Sequence, residues 1–434
     1  MIHRHLLLAG VAMLLLSACA PTPVPPGLDS EVLRINGLAQ SGAEPTDSVA
    51  LMRRQGELYA HHPFVPGNRV ELLIDGSATF AAMRDIIEHA QTRIDMESYE
   101  FDDQAGGQFA DLLIAARTRG VTVNLIYDAW GTVGTNQAIF DRLRAAGVET
   151  LEYNPIRPNG RVPIDPNRRD HRKLLCVDGR VCITGGVNIS KVYENAPAPR
   201  GTSPDDQAWR DTDVRIEGPV VAQFERFYAD TWRDQHGRPL PPAPPPPVLP
   251  VGDLLVQAID GAPEDGQPLI YRTLLASIAL SQRSVHLTTG FFVPTPDMLH
   301  ALEAAARRGV DVQLIVPGES DSTMALWAGR SNYGELLDAG VQIHERQARI
   351  LHAKTAVIDG AWSAVGSANL DWRSAIWNNE IDAIILGPAF GQKMEALFTA
   401  DRQRSHMIDR VAWHRRGPLQ RVQELRARLL SRLL

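Results

Sequence analysis

Apolar and polar residues change their period along the chain in a way that predicts strands and helices by turns. Val70–Ile74 alternates as a strand, and the spacing over Ala78–Ala90 predicts an amphipathic helix. Arg93–Phe101 reads as a strand, Gln108–Arg119 as a helix stopped at Gly120, and Val121–Tyr127 as a further strand. The same order then returns. Ser284–Phe292 predicts a strand, Asp297–Arg308 a helix stopped at Gly309, and Val310–Val316 a strand. Short identities accompany the echo: Ala115-Ala-Arg-Thr-Arg-Gly-Val121 beside Ala305-Ala-Arg-Arg-Gly-Val310, and Ala146-Gly-Val148 beside Ala339-Gly-Val341. Alternating strands and helices predict an α/β fold of two repeats, each a mixed sheet flanked by helices.

The repeats are expected over 61–236 and 253–400. Residues 239–250 between them hold eight prolines, so a stiff, extended connector is expected over 237–252. Before the first repeat, residues 20–50 lack hydrophobic periodicity, and a linker is expected over 19–60. Arg4 followed by the apolar run Leu6–Leu16 reads as a signal peptide, too short to span a bilayer. Leu16-Ser-Ala-Cys19 resembles a bacterial lipobox. That resemblance implies removal of residues 1–18 and lipidation of Cys19. It places the protein in the cell envelope, facing the periplasm. Ala20 after the cysteine points to the outer membrane rather than the inner, by resemblance to enterobacterial sorting. The alternative is an ordinary signal peptide cut near Ala20.

With 44% apolar and 22% charged residues, the 434-residue chain has a globular composition. A net charge of −7 offers no global basic field for nucleic acid. Only four of the 44 basic residues are lysines: Lys173, Lys191, Lys354 and Lys393. A lysine in so arginine-rich a chain marks a place that needs a compact ammonium.

Two of those lysines sit in a repeated polar pattern. His171-Arg-Lys173-Leu-Leu-Cys-Val-Asp178 is followed by Gly185-Gly-Val-Asn188. His352-Ala-Lys354-Thr-Ala-Val-Ile-Asp359 is followed by Gly366-Ser-Ala-Asn369. Residues i and i+2 of a strand share a face, so each His and Lys project together. A returning strand then brings the Gly pair and the Asn back beside them. No zinc-ligand spacing accompanies the pattern.

The two copies resemble the HKD signature of the phospholipase D superfamily over roughly residues 65–400. Ser367-Ala-Asn-Leu-Asp-Trp-Arg-Ser374 and Asn379-Glu380 are similar to the bacterial cardiolipin synthases within it. The resemblance implies two phospholipase D-like repeats packed as a pseudo-dimer, and phosphodiester exchange on anionic membrane phospholipids such as phosphatidylglycerol. The chemistry requires no metal or nucleotide cofactor, the acidic net charge and the lipid anchor argue against a nucleic-acid partner, and a monomer is expected. The expected roles follow. His171 attacks phosphorus, and His352 serves as acid and base. Lys173, Lys354, Asn188 and Asn369 hold the phosphate oxygens. Hydrolysis is the alternative to transfer, since only the acceptor differs; a nuclease or an inactive lipid-binding lipoprotein stands behind both.

Asp178-Gly179 and Asp359-Gly360 occupy hairpin turns, which favour Asp-Gly for backbone reasons, so both aspartates are expected to be structural. Asp211 and Glu380 open equivalent strands downstream, and comparable acids in the superfamily orient the histidines; these two are the expected partners. Glu97, Tyr99 and Glu100 are candidates for the pocket mouth. The insertion 154–169, with Arg157, Arg161, Arg168 and Arg169, is read either as a headgroup contact or as a solvated loop. A two-residue turn at Asp178-Gly179 would put Cys176 opposite Val181 and turn Cys182 to the other face, so no disulfide is expected. The tail 401–434 carries nine Arg against three acids, with Val422, Leu425, Leu429 and Leu433 on one helical stripe. It reads either as an interfacial helix on anionic lipid or as a helix packed on its own domain.

Overall fold

The computed structural model describes residues 48–60, 62–156, 167–194, 208–240, 250–261 and 268–431. The leader, Cys19, Arg157, Arg161, connector residues 241–249 and Leu433 lie outside them. Each half opens on one strand, builds a parallel layer with crossover helices, and closes on a hairpin and a return strand. The first half contains β1 (Val65–Ile74), β2 (Arg93–Ser98), β3 (Thr122–Asp128), β4 (Glu149–Tyr153), the short β5 (Arg169–Asp170), β6 (Lys173–Val177), β7 (Val181–Gly185) and β8 (Thr212–Glu217). The second contains β9 (Leu254–Gly261), β10 (Ser284–Thr288), β11 (Phe292–Val293), β12 (Asp311–Pro317), β13 (Gln342–Arg346), β14 (Thr355–Ile358), β15 (Trp362–Gly366), β16 (Leu370–Asp371), β17 (Asn378–Leu386) and β18 (Ser405–Met407).

Fifteen of these strands run in one mixed sheet in the order β18-β13-β12-β10-β14-β15-β17-β9-β1-β8-β7-β6-β2-β3-β4, β5 joins it beside β17, and β11 and β16 pair separately. The β2–β3–β4 and β10–β12–β13 layers are parallel. The halves join where β1 and β9 pair antiparallel, at Val65↔Val256 and Asn68↔Leu254. Helices Ala105–Thr118 and Pro296–Arg307 end alike: Gly120 and Gly309 take left-handed φ of 95° and 90°, which turns the chain into the next strand. Each half has its own apolar core. A third core lies between them, where Cys176, Cys182, Val214 and Ile216 meet Val357, Val365, Ile381 and Ile385. This face-to-face packing sets the two hairpins side by side.

Two expectations change. Asp178, Gly179 and Arg180 all lie between the paired Val177 and Val181, so the hairpin loop has three residues rather than two. That offset places Cys176 directly opposite Cys182, on one face, and the two form a disulfide. A one-residue error in the loop reverses the face of every later side chain. The end of the expected linker is also structured. Ser48–Ala60 is a helix that buries Met52 and Ala60 in the second half's core, and its Ser48 hydroxyl donates to Asp359 Oδ2 at 2.7 Å.

Candidate active site

His171 and Lys173 sit at the start of β6, and His352 and Lys354 just before β14, all buried. Each histidine is held by a carboxylate from the other half. His171 Nδ1 lies 3.0 Å from both Oε1 and Oε2 of Glu380, on β17. His352 Nδ1 lies 2.7 Å from Oδ2 of Asp211, at the start of β8. Main-chain bonds repeat the crossing, with His171 N–H donating to Asn379 O (2.9 Å) and His352 N–H to Arg210 O (2.8 Å). An Nδ1–H committed to a carboxylate leaves Nε2 of each ring as the nitrogen available for reaction.

The electrostatics follow from burial and proximity. Burial depresses both imidazoles to about 4, against the pull of Glu380 on one and Asp211 on the other. Burial would raise Glu380, yet His171 beside it, then Lys173 and the Ser367 hydroxyl, hold it down at about 2. Ser367 Oγ donates to its Oε2 at 2.5 Å and Ser374 Oγ to its Oε1 at 2.8 Å. Lys173 falls to about 8 through burial, partly opposed by Glu380 and reinforced by Lys354. Each lysine also lowers the other half's histidine, Lys354 acting on His171 and Lys173 on His352. Both ammonium groups donate to the carbonyl of the histidine two residues earlier.

The asparagines differ. Asn188 Oδ1 accepts from the Glu100 N–H at 3.4 Å and its amide donates to the Tyr193 hydroxyl at 3.3 Å. Tyr193 also lies 3.0 Å from His352 Nδ1. Asn369 is held by its own N–H on Ser374 Oγ (3.0 Å), and its buried side-chain oxygen has no hydrogen-bond partner among the described residues.

Asp178 and Asp359 are applied elsewhere. Both take positive φ, 55° and 52°, at the hairpin turns. The Asp178 carboxylate accepts the N–H groups of Gln91, Thr92 and Arg93. Asp359 accepts those of Gln282, Arg283 and Ser284. Each thereby ties its turn to the entry of the neighbouring antiparallel strand, β2 or β10.

Of the mouth candidates, Tyr99 packs edge-on against His171 (5.1 Å) and beneath the Lys173 ammonium (5.3 Å). Glu100 feels both lysines. Glu97 is not at the mouth: it is fully buried, 3.8 Å from Arg172. Arg169 is buried 3.5 Å from Asp128 rather than solvated.

Three groups escaped the sequence pattern. Asp213 and Asp382 stand two residues beyond the histidine partners, on the same strand faces. Each stays in its own half and accepts a loop N–H: Val187 to Asp213 at 3.1 Å, Ala368 to Asp382 at 3.3 Å. They fix the loops carrying Asn188 and Asn369. A methyl on Gly185 or Gly366 would lie 2.1 or 1.9 Å from those carboxylates, which is why glycine precedes each loop. Burial raises Asp382 to about 7 and Asp213 well above the usual range. The third is Arg172, the unspecified residue of the first motif, whose Nε donates to Glu380 O at 3.2 Å. The equal i, i+2 acids of β8 and β17 were a readable signal; Arg172 had none, since Ala353 replaces it in the second half. Among the described residues no set of His, Cys, Asp or Glu side chains converges as a metal site.

The family profile described as "Cardiolipin synthase, PLD-like domain" matches residues 83–195 and 274–402. The cardiolipin synthase of Geobacillus thermodenitrificans is 34% identical over 380 residues, 86% of this chain and 74% of that one. Cardiolipin synthase A of Edwardsiella ictaluri is 34% identical over 369 residues, 83% and 74% of the two chains. The solved phosphatidylserine synthase of Haemophilus influenzae shares the fold, with a TM-score of 0.66 over 88% of this chain and 100% of its own, at 14% identity.

Proposed function

Because this chain belongs to the phospholipase D-like family of cardiolipin synthases, as a phosphodiester-transferring enzyme, we propose that it moves a phosphatidyl group between alcohols through a phosphohistidine. The observation that carries this reading is the pair of buried imidazoles, each held at Nδ1 by a carboxylate of the opposite half. A nucleophile and an acid must face each other across one phosphorus, and that crossing supplies both. His171 Nε2 attacks phosphorus and the bond to the leaving alcohol breaks. His352 gives that alcohol its proton, then takes one from the incoming alcohol, which displaces His171. Lys173, Lys354, Asn188 and Asn369 neutralise the phosphate oxygens. An anionic diester bound at this centre favours the charged form of His352 that the empty site disfavours.

In this reading the donor is an anionic phospholipid such as phosphatidylglycerol, and the acceptor alcohol belongs to a second lipid. The protein acts as a monomer at the periplasmic face of the envelope, held by a lipid on Cys19, with the outer membrane as its site. The Cys176–Cys182 disulfide is consistent with an oxidising compartment. Product analysis with phosphatidylglycerol vesicles tests it: transfer gives cardiolipin and glycerol, whereas hydrolysis gives phosphatidic acid and glycerol. A Cys19→Ala chain should take up no labelled fatty acid, whereas the natural chain should.

A further inference from the structure

The C-terminal helix Pro418–Leu429 is amphipathic on the wrong side for a packed helix. Its inner face, with Glu424 and Ala427 buried, rests against Thr323–Arg330. Ala427 packs with Val293, Ala328 and Trp372, and Phe291 lies against that cluster. Phe291 in turn lies edge-on to His352 at 6.4 Å. At 100° per residue the opposite face carries Leu419, Val422, Leu425 and Leu429, which are 73%, 44%, 58% and 78% exposed. Met324 of the neighbouring helix adds another exposed apolar side chain. At the same spacing, exposed Arg421 and Arg428 run along one flank of the stripe, where Arg428 also meets Glu335 Oε1 at 3.1 Å, and exposed Arg426 falls between Leu419 and Val422. Such a stripe pointing away from the core is unusual for a soluble domain.

The other rim of the site repeats the feature. Trp130 and Val133, in the loop after β3, are 50% and 75% exposed. A methyl on Gly131 between them would lie 2.0 Å from the carbonyl of Tyr99, the residue edge-on to His171.

We propose that the outer face of Pro418–Leu429 is a docking surface for an anionic phospholipid bilayer, one helix away from the wall of the site. This inference rests on the phosphatidyl-transfer reading for its choice of partner. The charge pattern selects lipid over a second copy of the chain. Arginines along one flank of an apolar stripe and at its Leu419 end meet lipid phosphates while leucines enter the acyl boundary. Two such helices face to face would oppose like charges. The sign is local, since the chain as a whole carries −7 while its last 34 residues hold nine Arg and three acids.

The test uses the full chain with Cys19→Ala in every arm, so that no acyl anchor contributes. Sedimentation is measured with phosphatidylglycerol and phosphatidylcholine vesicles, and turnover with vesicular and with short-chain, monomeric phosphatidylglycerol. The parent should sediment with phosphatidylglycerol vesicles and at least tenfold less with phosphatidylcholine. Leu425→Glu/Leu429→Glu should bind at least tenfold more weakly and turn over vesicular lipid at least tenfold more slowly. Its turnover of the short-chain donor should stay within twofold. Leu425→Ser/Leu429→Ser serves if the first pair fails to fold. Undiminished vesicle binding by the folded variant overturns the proposal. So does a parent dimer that the variant splits, with no vesicle binding by either. If neither donor is turned over, the phosphatidyl-transfer reading fails, and sedimentation alone still decides the docking.

Discussion

Glu380, from the second half of the chain, grips Nδ1 of His171 in the first, with both carboxylate oxygens 3.0 Å away. Asp211 returns the contact to His352 at 2.7 Å. Neither half therefore contains a complete histidine–acid pair. Glu380→Gln should lower kcat by roughly 10²–10⁴-fold, the range seen when a histidine's orienting acid is lost. Nitrogen-resolved NMR should show the His171 ring, not His352, changing its tautomer. A change confined to His352 would contradict the crossing.

The buried imidazoles set the acid limb. A p-nitrophenyl phosphodiester needs no proton on its leaving group, so only the neutral form of His171 limits its attack. Its kcat/KM should be flat near neutrality and fall as pH drops through about 4, where this imidazole protonates. An inflection near 6.5 would mean an ordinary, solvated histidine. Removal of His352 should leave a stoichiometric nitrophenol burst and an acid-labile adduct on His171.

Stability should follow the same groups. Below about 6.5 the unfolded histidines take up protons that the folded ones, depressed to about 4, refuse. Their contribution is therefore intact above about 6.5 and is lost as pH falls toward 4. Thermal melts across that interval should show Tm declining, and His171→Gln should flatten part of the decline.

The motif aspartates should act through folding. Asp359→Asn keeps one acceptor oxygen where the carboxylate receives the N–H groups of Gln282, Arg283 and Ser284. It should cost about 1–3 kcal/mol of stability, with kcat per folded molecule nearly unchanged. A stable, inactive Asp359→Asn protein would assign that residue to the chemistry instead.

Reducing the Cys176–Cys182 bridge should lower stability by about 2 kcal/mol, since so short a loop closes at modest entropy cost. Denaturant melts with and without reductant measure it, and unchanged midpoints would show that the bridge contributes nothing.

The sequence by itself determined the repeat, the α/β class and the two His-x-Lys strands, because each is written in local periodicity. Period-2 alternation puts His171 and Lys173 on one face, and a glycine at 120 or 309 stops a helix whatever lies around it. The acids at 211 and 380 were legible as equivalent positions, because a repeat aligns them without any contact being known. What they hold was decided only by tertiary structure. Residues 209 apart meet because β1 pairs with β9 and the two halves close face to face. The disulfide escaped for a smaller reason: one extra residue in the Asp178–Arg180 loop moves Cys182 across the sheet, and Asp-Gly alone does not set loop length. Asp382, Asp213 and Arg172 were invisible as functional groups because burial, not residue type, gives them their work. Their carboxylates and guanidinium acquire partners only once water is excluded around them.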